Sequence, residues 1–88
     1  MEYKFRAAFL KDVSKLDDKK VKQAIADVVQ NVEESDSIKD LKNCKKMKDF
    51  QNAFRIRIGD YRIGIFIEKE VVEFTRVLHR KEVYRYFP

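Results

Sequence analysis

The fold of this chain is decided by a stretch that reads Phe54-Arg55-Ile56-Arg57-Ile58-Gly59-Asp60-Tyr61-Arg62-Ile63. Side chains of a β-strand alternate between its two faces, so the apolar residues share one face and the arginines share the other. Gly59-Asp60 suits a two-residue turn in which the glycine supplies a positive φ angle. The stretch therefore predicts a β-hairpin that is apolar on one face and cationic on the other.

The same alternation predicts the register of the hairpin. A slip of one residue would move every side chain to the wrong face, so the pattern favours a single pairing. The predicted pairs are Ile58 with Tyr61, Arg57 with Arg62, Ile56 with Ile63, Arg55 with Gly64, and Phe54 with Ile65.

A second tight turn at Lys69-Glu70 predicts a third strand, which pairs Gly64 with Thr75 and Asp60 with His79. In the same register, Ile65 pairs with Phe74 and Ile67 with Val72. The predicted cationic face then comprises Arg55, Arg57, Arg62, Glu73, Thr75 and His79, and the predicted apolar face comprises Phe54, Ile56, Ile58, Tyr61, Ile63, Ile65, Ile67, Val72, Phe74 and Leu78.

Upstream of the hairpin, the pattern changes from strand to helix. Tyr3, Phe5 and Ala7 alternate with cations, which indicates a short first strand, and from about Phe9 the apolar spacing becomes helical. A longer helix is predicted from about Asp18 to Glu34, because its apolar residues form one stripe and an aspartate can cap its first turn. The basic segment through Leu41 and Lys48 is predicted to be a loop.

These elements predict an α+β fold. A short N-terminal strand leads into an antiparallel pair of helices, which covers one face of a mainly antiparallel, twisted sheet of about four strands. With 88 residues, the chain is long enough for one domain, residues 1–88.

Charge and cysteine content narrow the classes of function. Residues 1–44 are neutral overall, whereas residues 45–88 carry eleven Lys or Arg against six Asp or Glu, so they hold the whole net charge of +5. Such asymmetry favours a polyanionic partner or an acidic protein, although a charge of this size also serves solubility. Cys44 is the single cysteine, and no apolar run or leader-like segment indicates a membrane protein. We expect a cytoplasmic protein that does not bind a membrane.

The predicted cationic face suits a phosphate group. Arg57 opposite Arg62 is a repulsive pair, and Gly64 leaves space above the sheet for a close approach. Arginine binds phosphate through a planar fork of donors but is a poor base, so His79, or more weakly Tyr84, would have to move protons. Isolated residues of both types also occur as ordinary surface and packing residues.

The sequence shows no Cys/His cluster, glycine-rich phosphate loop or Ser/His/Asp arrangement. No metal site or cofactor is therefore predicted. The simplest enzyme hypothesis is a ribonuclease in which the 2′-hydroxyl of the substrate attacks the adjacent phosphate, while arginines stabilise the developing charge.

Two motifs resemble the RelE/ParE superfamily of bacterial type II toxins. They are the hairpin Arg57-Ile58-Gly59-Asp60-Tyr61-Arg62 and the ending His79-Arg80-Lys81-Glu82-Val83-Tyr84. The resemblance spans essentially the whole chain. It implies a ribosome-dependent mRNA endonuclease, or mRNA interferase, that inhibits translation and is held inactive by a cognate antitoxin.

The resemblance also implies residue roles. Strand cations, the arginine after the hairpin tyrosine, a later arginine and a C-terminal tyrosine carry over to the catalytic candidates Arg55, Arg57, Arg62, Arg80 and Tyr84, and His79 is added as a possible proton carrier. Arg55 and Arg57 depart from the RelE pattern, which has lysines there. The candidate RNA-binding residues are Lys45, Lys46, Lys48, Lys81 and Arg85.

Two alternatives stay open at this point. ParE-like members of the superfamily inhibit DNA gyrase by protein binding instead of cutting RNA. An inactive relative that persists as a binding module is the third hypothesis.

Overall fold

A computed structural model describes residues 1–88 as five strands and three α-helices. A short 3-10 turn at Ile38–Asp40 follows the second helix. In chain order the elements are β1 (Glu2–Phe5), α1 (Ala7–Ser14), α2 (Lys19–Glu34), β2 (Cys44–Lys46), β3 (Ala53–Ile58), β4 (Tyr61–Glu68), β5 (Val71–His79) and α3 (Val83–Tyr86).

The five strands form one open sheet in the order β1-β5-β4-β3-β2. β1 runs parallel to β5, and all other neighbouring strands are antiparallel. The predicted α+β class and the mainly antiparallel sheet are confirmed, with β1 and β2 at the two edges.

Helices α1 and α2 cover one face of the sheet. Asp17 and Asp18 were the two predicted caps of α2, and Asp18 is the cap, since its carboxylate accepts hydrogen bonds from the Lys20 and Val21 amides. None of the helices combines the length and the apolar character that a membrane crossing needs. The core on this face contains Phe9, Ile25, Val32, Leu41, Ile56, Ile63, Ile65, Val72, Phe74 and Val77.

The β3–β4 hairpin has the predicted register at every pair from Ile58–Tyr61 to Phe54–Ile65. Gly59 adopts a φ of 60°, as the turn requires. Consequently, Arg55, Arg57 and Arg62 share the sheet face that lies opposite the two long helices.

The predicted register of β5 is correct only as far as Phe74. A bulge at Thr75 pairs Gly64 with Arg76 instead of Thr75, and Tyr61 instead of Asp60 with His79. The extra residue reverses the alternation, so Val77 enters the helix-covered core while Leu78 packs on the other face. The prediction that Leu78 lies under the helices is therefore wrong; the apolar phase shifts from Phe74 to Val77 across the bulge, a sequence signal that a single continuous register overlooks.

The sheet has one more strand than predicted, because residues 44–46 form β2 where a loop was expected. Cys44, Lys45 and Lys46 pair with Ile56, Arg55 and Phe54 of β3, respectively. Three residues are too few to show an alternating pattern. Pairing satisfies backbone groups that β3 would otherwise leave open at its edge.

Candidate functional site

The candidate site is the face of the sheet that carries Arg55, Arg57 and Arg62, here called the arginine face. Strand pairing aligns Arg57 with Arg62 in one row across β3 and β4. The next row contains Arg55, flanked by Lys45 on β2 and Gly64 on β4. The register alone therefore brings four cations together on adjacent strands.

None of the three arginines forms an ion pair with a carboxylate. Glu73, a carboxylate on the same sheet face, instead binds Lys4 at 3.5 Å and Arg6 at 2.7 Å. Guanidinium groups without a carboxylate partner are good phosphate ligands, since their planar fork can donate two hydrogen bonds and their charge is permanent.

Arg62 lies closest to the centre of this positive charge. Partial desolvation, and then the charges of Arg55, Arg57 and Arg80, lower the pKa of its guanidinium, whereas Tyr84 raises it. Its Nη1 donates to the carbonyl oxygens of Gly59 at 2.8 Å and Tyr61 at 2.9 Å. The hairpin turn therefore holds Arg62 in place, and a bound anion would relieve the repulsion from its neighbours.

Arg80 joins the site from the end of β5. Its amide donates to the Asp60 carbonyl oxygen at 2.7 Å, which fastens the residue to the β3–β4 turn. Its exposed side chain also lies 3.8 Å from the Asp60 carboxylate. At this exposure, such a pair contributes little to stability, so Arg80 remains available to an anion.

Tyr84 reaches the site from α3. The residue is 66% exposed, and the guanidinium carbon of Arg55 lies 5.8 Å from the centre of its ring. This distance is within the range of a cation–π contact. Five of the six predicted catalytic residues, namely Arg55, Arg57, Arg62, Arg80 and Tyr84, are thus grouped around one face and its rim.

His79 is the exception. It pairs with Tyr61, which packs toward the helix-covered core, and the two rings meet edge to face at 5.6 Å. Its Nδ1 accepts a hydrogen bond from the Lys81 amide at 3.2 Å. The prediction that His79 shares a face with the arginines is wrong, because the bulge at Thr75 turns it to the other side.

The space above Gly64 is occupied by the protein itself. A β-carbon added at Gly64 would lie 2.5 Å from Phe87 Cγ, so only glycine permits the ring to pack there. Phe87 and Val83 are buried with Met47 and Ala53 in a second, smaller core. The prediction of open space above Gly64 for a bound anion is wrong, because the C-terminal segment packs there, and the sequence pattern did not reveal its position.

The predicted RNA-binding residues are only partly brought together. Lys45 lies on the arginine face beside Arg55, whereas Lys46 points away and donates to the carbonyl oxygens of Met47 at 3.2 Å and Phe50 at 2.8 Å. Lys48 and Lys81 are exposed in connecting segments. Arg85 is exposed on α3, 5.6 Å from the centre of the Tyr86 ring.

The chain is similar in sequence to known toxins. Residues 3–84 match the family model for the ParE toxin of the type II toxin-antitoxin system parDE. The chain is 39% identical to Toxin RelE3 of Methanocaldococcus jannaschii, and the alignment covers 100% of both chains.

Solved structures show the same likeness. The RelB-RelE antitoxin-toxin complex of Methanococcus jannaschii matches at a TM-score of 0.79 and 39% identity, covering 96% of this chain and 98% of the other. The toxin-antitoxin complex RelBE2 of Mycobacterium tuberculosis matches at a TM-score of 0.61 and 27% identity, covering 90% and 96%.

The chain therefore belongs to the RelE/ParE superfamily of type II toxin-antitoxin toxins. Within it, the 39% identity over the full length of a RelE toxin assigns the chain to the RelE-like branch.

Proposed function

We propose that this RelE-type toxin is an endoribonuclease that cleaves mRNA on the ribosome. The observation that carries the proposal is the arginine face, where Arg55, Arg57 and Arg62 converge without a carboxylate partner and Tyr84 lies beside them. A site made of phosphate ligands beside an exposed phenol suits the chemistry of a phosphodiester.

The proposed reaction uses the 2′-hydroxyl of the RNA as the nucleophile. Its oxygen attacks the adjacent phosphorus, the bond to the 5′-oxygen of the next nucleotide breaks, and a 2′,3′-cyclic phosphate remains. Arg55, Arg57 and Arg62 would neutralise the charge that develops on the phosphate oxygens. Arg80 would bind the phosphate from the rim of the site.

Arginine stays protonated and therefore stabilises charge without moving protons. Tyr84 and Lys45 are the groups beside the arginines that can donate or accept a proton. We assign Tyr84 to donate its phenol proton to the leaving 5′-oxygen, because its phenol is exposed next to Arg55. The proton of the 2′-hydroxyl passes to water, and water then returns a proton to Tyr84. His79 lies on the sheet face opposite the arginines, so we do not assign it this proton transfer. Lys45, Lys46, Lys48, Lys81 and Arg85 would contact the RNA outside the scissile phosphate.

An exposed site on an open sheet also suits a substrate that is presented by a larger particle. The ribosome holds mRNA in a defined conformation, so it could supply the alignment that a small cationic face lacks. Action on translating ribosomes would place the toxin in the cytoplasm.

A cognate antitoxin is the partner that the comparisons support. Complexes with RelB are among the similar structures, and the net charge of +5 favours an acidic partner. We propose that binding of this antitoxin suppresses cleavage. An acidic protein encoded by a neighbouring gene and recovered with the toxin would support this part of the proposal.

The decisive test is cleavage of a defined mRNA in a purified translation system. We expect the wild-type protein to cut translated message and to cut the same RNA poorly without ribosomes. Arg62→Ala and Arg80→Ala should each lower the rate of cleavage by roughly 10²–10³-fold, because each removes a ligand for transition-state charge. Both variants should also relieve growth arrest on expression.

Lys22→Ala serves as the control, because Lys22 is an exposed cation on α2, on the helix-covered side of the sheet, away from the arginine face. Full activity of the Arg62 and Arg80 variants would exclude the arginine face as the active site. Unfolding of the variants is checked by circular dichroism.

Inhibition of DNA gyrase is the second candidate, since the matching family model is that of ParE toxins. A supercoiling assay separates the two functions. Inhibited supercoiling with uncut mRNA would favour the ParE-like activity and would reject the nuclease.

A further inference from the structure

Arg76 is held by two hydrogen bonds to one carboxylate, that of Asp12. Its Nε donates to Asp12 Oδ2 at 2.7 Å, and its Nη2 donates to Asp12 Oδ1 at 3.1 Å. The two side chains are only 27% and 12% exposed. The hydrogen bond that Arg76 donates to the Asp12 carboxylate also raises the pKa of Arg76. Such a bidentate pair fixes the orientation of the guanidinium as well as its charge.

Two features of the fold bring this pair together. β1 ends at Phe5, opposite Phe74, so β5 has a free edge beyond this point, and α1 then runs alongside it. Asp12 of α1 also accepts the Val77 amide at 3.1 Å, which satisfies a donor of that edge. The bulge at Thr75 places Arg76 opposite Gly64, in the same row as Arg55.

The guanidinium of Arg76 contacts α3 as well. Its central carbon lies 5.8 Å from the centre of the Tyr86 ring. With four residues, α3 is far too short to be stable alone, so its position depends on tertiary contacts. Phe87 over Gly64 and buried Val83 anchor its inner side, and Arg76 supplies a contact on its exposed side.

Tyr84 shares this helix with Tyr86. A shift or rotation of α3 would move the Tyr84 phenol relative to Arg55, and small displacements of a reacting group are costly to catalysis. We propose that Arg76, oriented by Asp12, is a positioning residue that acts on the reaction through Tyr84 by holding α3 against the sheet. This role rests on the nuclease function proposed above.

A double-mutant cycle on ribosome-dependent cleavage tests the role. Arg76→Met keeps most of the side-chain volume but loses the charge and both hydrogen bonds. We expect it to lower kcat about tenfold with KM for the mRNA-programmed ribosome unchanged. In a Tyr84→Phe background, Arg76→Met should lower kcat no further, because the group that it positions is already gone.

Tyr86 provides a second variant in case Arg76→Met does not fold. Tyr86→Leu should reproduce the loss of kcat, whereas Tyr86→Phe should retain the wild-type rate, since it keeps the aromatic ring that faces Arg76. Arg6→Met is the matched control, because Arg6 also forms an ion pair, with Glu73 at 2.7 Å, but lies at the end of β1 and not against the Tyr86 ring.

The outcomes separate this role from the proposed function. Absence of cleavage by the wild-type protein overturns both. Cleavage by the wild-type protein, with losses that multiply in the double variant or an equal loss in Arg6→Met, overturns only the positioning role.

Discussion

The two faces of the sheet are built from the same strands but serve opposite purposes. The helix-covered face is closed by α1 and α2 over ten buried apolar residues. The arginine face is covered only in part, by a C-terminal segment whose small core has four buried residues. Stability is concentrated on the first face, which leaves the second free to carry groups that do not stabilise the fold.

Repulsion between neighbouring charges on the arginine face lowers the stability of the fold. Arg57 lies directly opposite Arg62, and like charges in such a pair are destabilising. The side chains at this site are open to solvent, since Arg57, Arg80 and Tyr84 are all exposed. This contrast predicts that substitutions on the two faces should separate folding from activity.

The largest expected effect is on the helix-covered face. Phe74 is fully buried and packs against the rings of Phe5 and Phe9. Phe74→Ala should lower the free energy of unfolding by about 3–5 kcal/mol, because it leaves a cavity in the core. Urea denaturation followed by circular dichroism measures the change, and a loss below about 1 kcal/mol would contradict the assigned core.

Gly64→Ala should have the next largest effect. The new methyl group would push Phe87 away, at a cost of about 1–3 kcal/mol for overpacking. Cleavage should fall as well, since α3 carries Tyr84. Replacing Phe87 by Ala in the same chain should remove the clash, so the double variant is expected to be more stable than the sum of the two single losses predicts.

The titration of Cys44 shows how well the helix-covered face excludes water near β2, at the edge of the sheet. Burial raises the pKa of its thiol to about 11. The unfolded chain loses this proton near the ordinary value, so it binds fewer protons than the folded protein as pH rises from about 9 to about 11, and stability should fall across this window. Melting temperatures measured across this pH window follow the fall in stability, and Cys44→Ala should remove the part that the thiol contributes. Identical pH curves for the wild-type protein and Cys44→Ala would contradict the burial of Cys44.

The smallest expected effect belongs to Arg57. Arg57→Thr should raise the free energy of unfolding by about 0.2–1 kcal/mol, because it removes the repulsion from Arg62. The gain should shrink at high salt, which screens exposed charges. Denaturation at low and high salt measures it, with Lys48→Thr as the control outside the paired strands; destabilisation by Arg57→Thr would show that the arginine supports the fold.

The site residues closest to the hairpin turn were the most predictable from the sequence. Arg55, Arg57 and Arg62 could be assigned to one face because strand periodicity and a two-residue turn leave a single register. His79 could not, since one unpaired residue at Thr75 reverses the face of everything after it. The role of Gly64 was half visible, because a glycine in a strand indicates close approach but not what approaches.

Local rules therefore determined the α+β class, the capped helix α2, the β3–β4 hairpin and its charged face. All of these depend on neighbours in sequence, whose geometry backbone stereochemistry dictates. Tertiary structure decided the bulge, the added edge strand β2, the packing of Phe87 on Gly64 and the contact between Asp12 and Arg76. Those features join residues up to 64 positions apart, and only the packing of the complete chain brings them together.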